Sequence, residues 1–269
     1  MASGRAELDR DFGRQAFGGD PAGYDRARPA YPDWVYETLK VRCGLGPGCV
    51  AFEIGAGTGI ATRRLLREGA SVVAVEPDRR LAAFLEASVE SRALQVVNAP
   101  FDTAQLDEAA FDLGVCATAF HWLDEDLALA RIASLLKPGG WWAAVWNLFG
   151  DDSRPDPFHD ATTLLFEGAP ASPGSNASGG PEYGLDAERR IGALRRAGAF
   201  EAIEHQVSQW SLELTADETV ALYATYSNVN ARADRADLLA ALHKVAREPP
   251  FSDRVVRNMT TSLFIARRA

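Results

Sequence analysis

The sequence predicts an α/β protein whose parallel sheet is covered by helices on both faces. Between residues 49 and 147, near-continuous apolar runs of strand length alternate with amphipathic runs of helix length, which is the pattern of such a sheet. Three glycines, Gly55, Gly57 and Gly59, follow the first apolar run, and a helix pattern follows them. A strand, a glycine turn and a helix in this order are typical of a nucleotide-binding unit.

The elements of this unit follow in a regular order. A helix is expected to begin at Asp33, which is a good N-cap residue. Its apolar stripe at helical spacing is Trp34, Leu39 and Val41. Pro138 and the two glycines after it are expected to stop the last helix. The predicted strands are 49–54, 71–77, 93–99, 111–120 and 141–147, and the helices between them are 59–69, 79–91 and 123–140.

The composition changes after the fifth strand. Residues 168–184 are rich in Gly, Pro and Ser, which predicts a flexible loop or a lid tip that orders on a ligand. The remaining elements are a helix over 185–200 leading into a strand, two helical stretches after Thr215 and a last strand over 261–268. We expect an N-terminal lid over residues 1–32 and a main domain over 33–269, with cap insertions around 148–185 and 215–250.

Composition restricts the class of function. The net charge is −9 and no basic face is visible, which disfavours a nucleic-acid substrate. No apolar run is long enough to span a membrane, and the polar N-terminus lacks an apolar secretory core, so we interpret the protein as cytoplasmic. Three cysteines without a secretion signal argue against a disulfide framework. No His/Cys/Asp cluster has the spacing of metal ligands, so no metal is expected.

The glycine turn reads G-A-G-T-G-I, with Ile60 where a dinucleotide fingerprint would have its third glycine. Glu76 ends the second strand, at the edge of the sheet where ligands bind in open α/β folds. A carboxylate there can accept two hydrogen bonds from ribose hydroxyls and would repel a 2′-phosphate. These features favour a cofactor with a sulfonium and an amino acid group over a pyrophosphate, although a nicotinamide-dependent oxidoreductase remains the alternative.

Four motifs, VAFEIGAGTG, VVAVEP, FDLGVCATAFHWLD and LLKPGGWWAAVWN, occur in this order. Together they closely resemble class I S-adenosylmethionine-dependent methyltransferases. The resemblance implies a Rossmann-like sheet of seven strands, mostly parallel with the last one antiparallel. It implies S-adenosyl-L-methionine as cofactor, with Glu76 on the ribose hydroxyls and Glu53 taking part through its backbone or a water. It also assigns to the cofactor site Gly55, Ala56, Gly57, Pro77 and Ala117.

Two further segments belong to the implied cofactor site. After the third strand such enzymes carry an acid that contacts the adenine. Here Pro100 stands in its place, so Asp102 and the Phe101 N–H are the candidates. The segment YDRARPAYP resembles the N-terminal element of small-molecule methyltransferases of the trans-aconitate and juvenile-hormone-acid type. That resemblance makes Tyr24 and Arg28 candidate cofactor ligands, with the Arg28 guanidinium on the cofactor carboxylate. The alternative is that RPAYP is only a rigid turn that starts the domain.

His121 follows the fourth strand and is the candidate general base, because an unperturbed histidine titrates near pH ~6.5. The alternative is that His121 only shapes the pocket. Trp122 is expected to pack against cofactor or substrate. The substrate-binding candidates are Phe17, Trp146, Phe149, His159 and Tyr226, which would form an apolar pocket for a small acceptor.

The sequence therefore predicts a methyltransferase for a small-molecule acceptor, with O-methylation in natural-product metabolism preferred over N- or C-methylation. A protein that binds S-adenosylmethionine without transferring its methyl group is a further alternative. The motif used for methylation of nucleobase nitrogens is absent after the fourth strand. The oligomeric state, monomer or homodimer, is left open by the sequence.

Overall fold

The computed structural model describes residues 7–13, 15–149, 154–175 and 180–269. Among these residues, seven strands form one sheet: β1 (Val50–Ile54), β2 (Ser71–Val75), β3 (Leu94–Val97), β4 (Phe111–Ala117), β5 (Leu136–Phe149), β6 (Phe200–Leu214) and β7 (Val255–Arg268). Their order across the sheet is β3-β2-β1-β4-β5-β7-β6. Only β7 is reversed, because it pairs antiparallel with both β5 and β6 while the other pairs are parallel. This confirms the predicted sheet of seven strands with an antiparallel last strand.

Helices connect and cover these strands. In chain order the described helices are α1 (Arg10–Gly13), α2 (Pro21–Ala27), α3 (Asp33–Cys43), α4 (Ile60–Arg67), α5 (Arg79–Ser88), α6 (Glu125–Leu135), α7 (Pro157–Thr162), α8 (Ala187–Arg196), α9 (Ala216–Tyr223), α10 (Ser227–Asn230) and α11 (Arg235–Arg247). Helices α4 and α5 follow β1 and β2 as predicted, and α6 joins β4 to β5. Parallel neighbours need such crossover connections.

Each face of the sheet has its own hydrophobic core. On one face, α6 and α8 pack against side chains that include Phe52 and Trp142. On the other face, α3 and α4 pack against side chains that include Leu113. Leu39 of α3 and Leu65 of α4 are fully buried there, and full burial of such a side chain contributes about 1.5–3 kcal/mol. The carboxyl ends of the parallel strands lie along one edge of this packed sheet.

A third, smaller core lies at the start of β7 and includes its first residue, Val255. It combines α7 with α9 and α11, through residues that include Phe158, Tyr223 and Leu242. Below it, the buried Arg257 of β7 donates from Nε to Asp156 Oδ2 at 2.9 Å and also donates to the Tyr223 hydroxyl. The two stretches expected as cap insertions therefore share one core, and Arg257 of β7 contacts a residue of each.

Several predicted boundaries were wrong. Strand β5 begins at Leu136, so Pro138 and the glycines after it lie in the strand and do not end the preceding helix. The pairing of β4 with β5 shifts register between Phe111 and Leu113, which accommodates these residues. The last strand begins at Val255, six residues before the predicted start, because its first half pairs with the far end of β6.

The interpretation of α3 also needs correction. Asp33 is the first helical residue, Pro32 is the N-cap, and no side chain caps the helix. Asp33 is instead paired with Arg64 of α4. Val41, expected in the apolar stripe, is 80% exposed. The buried stripe consists of Val35, Tyr36, Leu39 and Cys43.

Other structural features concern membranes, cysteines and metals. Within the described ranges, no helix has the length and apolar character required to cross a bilayer. All three cysteines are free and buried. Across the same residues, no group of three or more His, Cys, Asp or Glu side chains is arranged to hold a metal ion.

Candidate functional site

A cavity of about 320 Å³ lies at the carboxyl edge of β1, β2, β4 and β5. This volume is in the range of small-molecule sites. Most of the predicted site residues line it: Phe17, Tyr24, Arg28, Gly55, Gly57, Glu76, Pro77, Phe101, Ala117, His121, Trp122, Trp146, Phe149 and Tyr226. Four predicted residues are not among its lining residues: Glu53, Ala56, Asp102 and His159.

The glycine turn follows β1 and brings backbone close to the cavity. Gly55 has φ +66°, and a Cβ added to it would lie 2.6 Å from the Ala119 Cβ, so a larger residue would collide there. Gly57 has φ +58°, but a Cβ added to it would meet nothing within 4 Å. The Gly57 backbone therefore faces open space, and a ligand can approach it without obstruction.

Glu76, directly after β2, holds this turn in place. Its Oε2 atom accepts a hydrogen bond from the Gly57 N–H at 2.7 Å, and Oε1 accepts one from the Asp78 N–H at 2.9 Å. Burial raises the pKa of Glu76 to about 7, although both backbone N–H groups oppose the rise. The carboxyl group is thus buried, oriented and close to the point of half ionisation at neutral pH.

Glu53 lies behind the turn and outside the cavity. It is buried in β1, and its Oε2 atom accepts a hydrogen bond from Thr62 Oγ1 of α4 at 2.5 Å. Burial raises its pKa to about 8, and the negative charge of Glu76 adds to the rise. Ala56 is buried as well and donates its N–H to Val75 O. Both residues support the turn from the side of the sheet.

The segment after β3 reaches the cavity through apolar groups. Pro100 and Phe101 line it. Phe101 is buried and stacks with Phe52, with ring centroids 6.2 Å apart. Asp102 is exposed and is not among the lining residues. The candidate adenine side of the site thus presents Pro100 and Phe101, and the Asp102 side chain lies outside it.

Helix α2 and the residue after it, Arg28, contribute a cation to the cavity wall, and this cation lies between two tyrosine rings. The Arg28 guanidinium carbon lies 5.2 Å from the centroid of the Tyr24 ring and 5.0 Å from that of the Tyr226 ring. Such cation–π contacts hold the guanidinium between the rings. Its Nη2 atom donates to Thr225 O at 3.1 Å, whereas its buried Nε atom has no hydrogen-bond partner among the described residues. Arg28 therefore keeps a buried donor for a ligand in the cavity.

Residues 15–28 form hydrogen bonds and an ion pair with elements on both sides of the cavity. On the side of the sheet, Arg80 Nη2 donates to Gln15 O at 2.7 Å, and Arg63 Nη2 lies 2.5 Å from Asp25 Oδ1. On the side of the cap, Asn230 Nδ2 donates to Ala16 O at 3.3 Å. This segment therefore bridges the two sides of the cavity, in the position of the predicted lid.

His121 lies in a short 3-10 turn after β4, with its ring in the wall of the cavity. The indole N–H of Trp146, on β5, donates to His121 Nδ1 at 3.2 Å. Burial lowers the pKa of His121 to about 3, and the positive charge of Arg28 acts in the same direction. The imidazole is therefore neutral at physiological pH and difficult to protonate.

Part of the cavity wall is aromatic. Phe17 contacts Tyr24 and Trp122 edge-on, with ring centroids 5.8 and 6.2 Å apart. Phe149 lies 5.2 Å from Tyr226, whose hydroxyl is buried without a hydrogen-bond partner among the described residues. His159 is exposed on α7 and does not line the cavity. Four of the five predicted substrate residues thus come together, and His159 does not join them.

The structure also adds lining residues that were not predicted. Thr118 directly follows β4 and has φ +56°, which is strained for a β-branched residue. Its hydroxyl lies 2.7 Å from that of Tyr31. Asn147 donates from Nδ2 to Ala30 O at 3.2 Å. The loop residues Ser172 and Gly174 line the cavity too. For Asn147 the sequence did contain a signal, because it is a polar residue at the end of the otherwise apolar predicted strand 141–147.

Comparison with known proteins agrees with this geometry. Residues 52–144 match the protein family described as a methyltransferase domain. An uncharacterized methyltransferase of Mycobacterium tuberculosis is 33% identical over 136 residues, which are 49% of this chain and 52% of that protein. The matched part thus corresponds to about half the length of this curated relative.

Two solved structures share the fold over nearly the whole chain. Phosphoethanolamine N-methyltransferase 2 of Haemonchus contortus, in complex with S-adenosyl-L-methionine, superposes with a TM-score of 0.59 at 16% identity, over 96% of this chain and 59% of that one. A protein of Anaeromyxobacter dehalogenans described as a type II methyltransferase superposes with a TM-score of 0.63 at 22% identity, over 89% of this chain and 97% of that one.

The sheet order and the cavity beside its glycine turn define a class I, S-adenosylmethionine-dependent methyltransferase fold. Residues 52–144 match the methyltransferase-domain family. The fold expected from the sequence is thereby confirmed. The narrower resemblance to enzymes of the trans-aconitate and juvenile-hormone-acid type stays a prediction.

Proposed function

We propose that the protein is a methyltransferase that moves a methyl group from S-adenosylmethionine to a small-molecule acceptor, in natural-product metabolism. One observation carries the proposal: the same cavity is lined by the glycine turn with Glu76 and by several aromatic side chains. The turn and the carboxyl group suit a nucleoside, and the aromatic side chains suit a small apolar or aromatic acceptor.

The residues present fit this cofactor. The Gly57 backbone faces open space, Glu76 keeps acceptor capacity beyond its two backbone contacts, and Arg28 has a buried donor without a partner. We assign the ribose hydroxyls to Glu76 and the amino acid carboxylate to Arg28. When bound, S-adenosylmethionine supplies a methyl group activated by its sulfonium. The chain's own part is to align the acceptor with that group, and alignment alone can supply much of a rate enhancement.

O-methylation remains the preferred reaction. His121 lines the cavity, but an imidazole with a pKa of about 3 is a weak base at neutral pH. An acceptor oxygen that arrives already deprotonated would need no base. Methylation of a nitrogen or carbon atom of a small molecule is the alternative, and the present cavity lining is compatible with either.

Two other functions are distinguished by simple measurements. A nicotinamide-dependent oxidoreductase would bind NADH, and a non-catalytic binding protein would bind S-adenosylmethionine without turnover. The antiparallel β7 between β5 and β6 supports the methyltransferase over the oxidoreductase. The aromatic lining residues Phe17, Trp146 and Phe149, which the cofactor assignment leaves unused, support an acceptor and hence turnover.

The first experiment is calorimetric titration of the purified protein with S-adenosylmethionine, S-adenosylhomocysteine and NADH. We expect binding of the first two and none of the third. Binding of NADH alone would overturn the proposal. Small acids, phenols and amines are then screened with S-adenosylmethionine for release of S-adenosylhomocysteine. Release that depends on the acceptor identifies an enzyme, and its absence with every acceptor favours the non-catalytic alternative.

A further inference from the structure

The contact between Trp146 and His121 determines which imidazole nitrogen carries the proton. An indole N–H is a donor only and has no lone pair to offer. His121 Nδ1 receives this N–H at 3.2 Å, so Nδ1 must present its lone pair. A neutral imidazole carries one proton, and that proton must therefore be on Nε2.

The surroundings keep the ring neutral and fix the indole. Arg28 is the charged group that acts on the imidazole, and burial and this cation both oppose a second proton. The indole is itself held from two sides. A Cβ added to Gly184 would lie 2.8 Å from the Trp146 ring, and the Phe264 ring meets it edge-on at 6.1 Å. The indole N–H therefore has little freedom to turn away from Nδ1.

The remaining nitrogen, Nε2, lies close to Gly174, which lines the cavity together with His121. A Cβ added to Gly174 would lie 3.1 Å from both His121 Nε2 and Cδ2, so the glycine lets the loop come this close. Rings of Tyr183 and Trp122 lie 6.1 and 5.5 Å from the imidazole. Nε2–H is thus the polar group that the ring presents within an aromatic wall.

We propose that Trp146 is a positioning residue that holds His121 as a hydrogen-bond donor through Nε2–H toward the acceptor molecule. The mention of an acceptor rests on the proposed function, whereas the tautomer does not. For Nε2 to act as a base, the proton would have to be on Nδ1, where it would oppose the indole N–H. His121 therefore recognises an acceptor that presents a lone pair, such as a carbonyl or an ionised oxygen, and does not remove a proton from it.

The test is nitrogen NMR on the full chain with labelled histidine, without cofactor or acceptor. Long-range proton–nitrogen correlations show which nitrogen of each ring is protonated, and the His121→Gln variant assigns the signal among the four histidines. We expect His121 to be protonated on Nε2 alone, with no titration near pH ~6.5, where a free histidine titrates. Protonation on Nδ1, or a charged ring at neutral pH, would overturn the proposal.

Two variants of the same strand test the role of the indole. Trp146→Phe removes the donor, so the Nδ1 signal should shift and the ring should titrate at higher pH than in the wild type. Trp141→Phe is the matched control, because Trp141 also lies in β5 but packs against the core on the other face of the sheet and should leave the His121 signals unchanged. An unchanged Nδ1 signal in Trp146→Phe would remove Trp146 as positioning residue. The wild-type spectrum decides the tautomer even if Trp146→Phe does not fold. Neither result depends on binding of S-adenosylmethionine, so failure here is distinct from failure of the proposed function.

Discussion

Glu76 joins the end of β2 to the glycine turn through the N–H of Gly57, which donates to Oε2 at 2.7 Å. The second carboxylate oxygen accepts the Asp78 N–H. An ionised carboxylate offers about four lone-pair sites, so about two remain for a ligand after these contacts. The same group thus shapes the turn and keeps acceptor capacity for two ribose hydroxyls.

Replacing Glu76 by Ala should weaken S-adenosylmethionine binding by about tenfold or more. The reason is the loss of charge-assisted hydrogen bonds, each worth about 1.5–3 kcal/mol. Calorimetric titration measures the change. Glu86→Ala on α5 is the matched control, since Glu86 is exposed and is not a lining residue. Equal affinities of Glu76→Ala and the wild type would contradict the ribose assignment.

Binding of S-adenosylmethionine should become stronger as the pH rises through about 7. Burial raises the pKa of Glu76 to about 7, and only the ionised form accepts hydrogen bonds with both oxygens. Below that pKa the affinity should fall by up to about tenfold per pH unit. Titrations from about pH 6 to about pH 8 measure this dependence, since one pH unit corresponds to about 1.4 kcal/mol per proton.

Two variants assign this pH dependence. Glu76→Ala should lose it. Glu53→Gln keeps an acceptor for Thr62 Oγ1 and should retain the pH dependence, because Glu53, with a pKa of about 8, is mostly protonated where Glu76 titrates. A binding curve that is flat with pH in the wild type would count against a carboxylate ligand.

Much of this arrangement could be predicted because the signals are local. The apolar strands, the glycine turn and the acid at the end of β2 are each contained in a few consecutive residues. Strand geometry then brings their carboxyl ends to the same edge of the sheet. The positions of Glu76 and Gly57 in the cavity wall could therefore be predicted from strand geometry alone.

The remaining features depend on register and on distant contacts. Trp146 meets His121 because β4 and β5 pair as neighbours, and no local pattern encodes that pairing register. His159 was expected in the cavity, but its side chain is exposed on α7. The neighbouring Phe158 is the buried residue of this part of the helix. The exposure of Val41 likewise follows from the rotation of α3 on the sheet.

Arg28→Ala should discriminate between ligands that differ only in the amino acid part. The guanidinium is caged by Tyr24 and Tyr226 with a free Nε donor, which suits a carboxylate. S-adenosylhomocysteine should bind about tenfold or more weakly to the variant, while 5′-methylthioadenosine, which lacks the carboxylate, should bind as to the wild type. Calorimetry with both ligands makes the comparison.

Arg26→Ala is the control for this prediction, because Arg26 lies on the same helix but is exposed and outside the cavity. It should affect neither ligand. Equal losses for both ligands in Arg28→Ala would indicate that Arg28 supports the fold of α2. Unchanged binding of S-adenosylhomocysteine would remove the carboxylate assignment.

Loss of the buried cation Arg257 should lower the free energy of unfolding more than loss of an exposed arginine just before the same strand. Arg257 lies in β7 with its Nε 2.9 Å from Asp156 Oδ2, and both side chains are buried. Arg257→Ala leaves Asp156 charged and unpaired in the interior, which typically costs about 3–5 kcal/mol. Arg254, just before β7, pairs with Glu213 at 2.8 Å on the surface, where water screens both charges.

Denaturant unfolding of Arg257→Ala and Arg254→Ala compares the contributions of the buried and the exposed ion pair to the free energy of unfolding. Arg257→Ala should lower the free energy of unfolding by several times the change in Arg254→Ala. The double variant Asp156→Ala/Arg257→Ala should recover part of the loss, because it no longer contains an unpaired buried charge. Part of the loss should remain, since Asp156 also caps α7 by accepting the His159 N–H at 3.0 Å. Equal stabilities of the two single variants would mean that the cap does not depend on this ion pair.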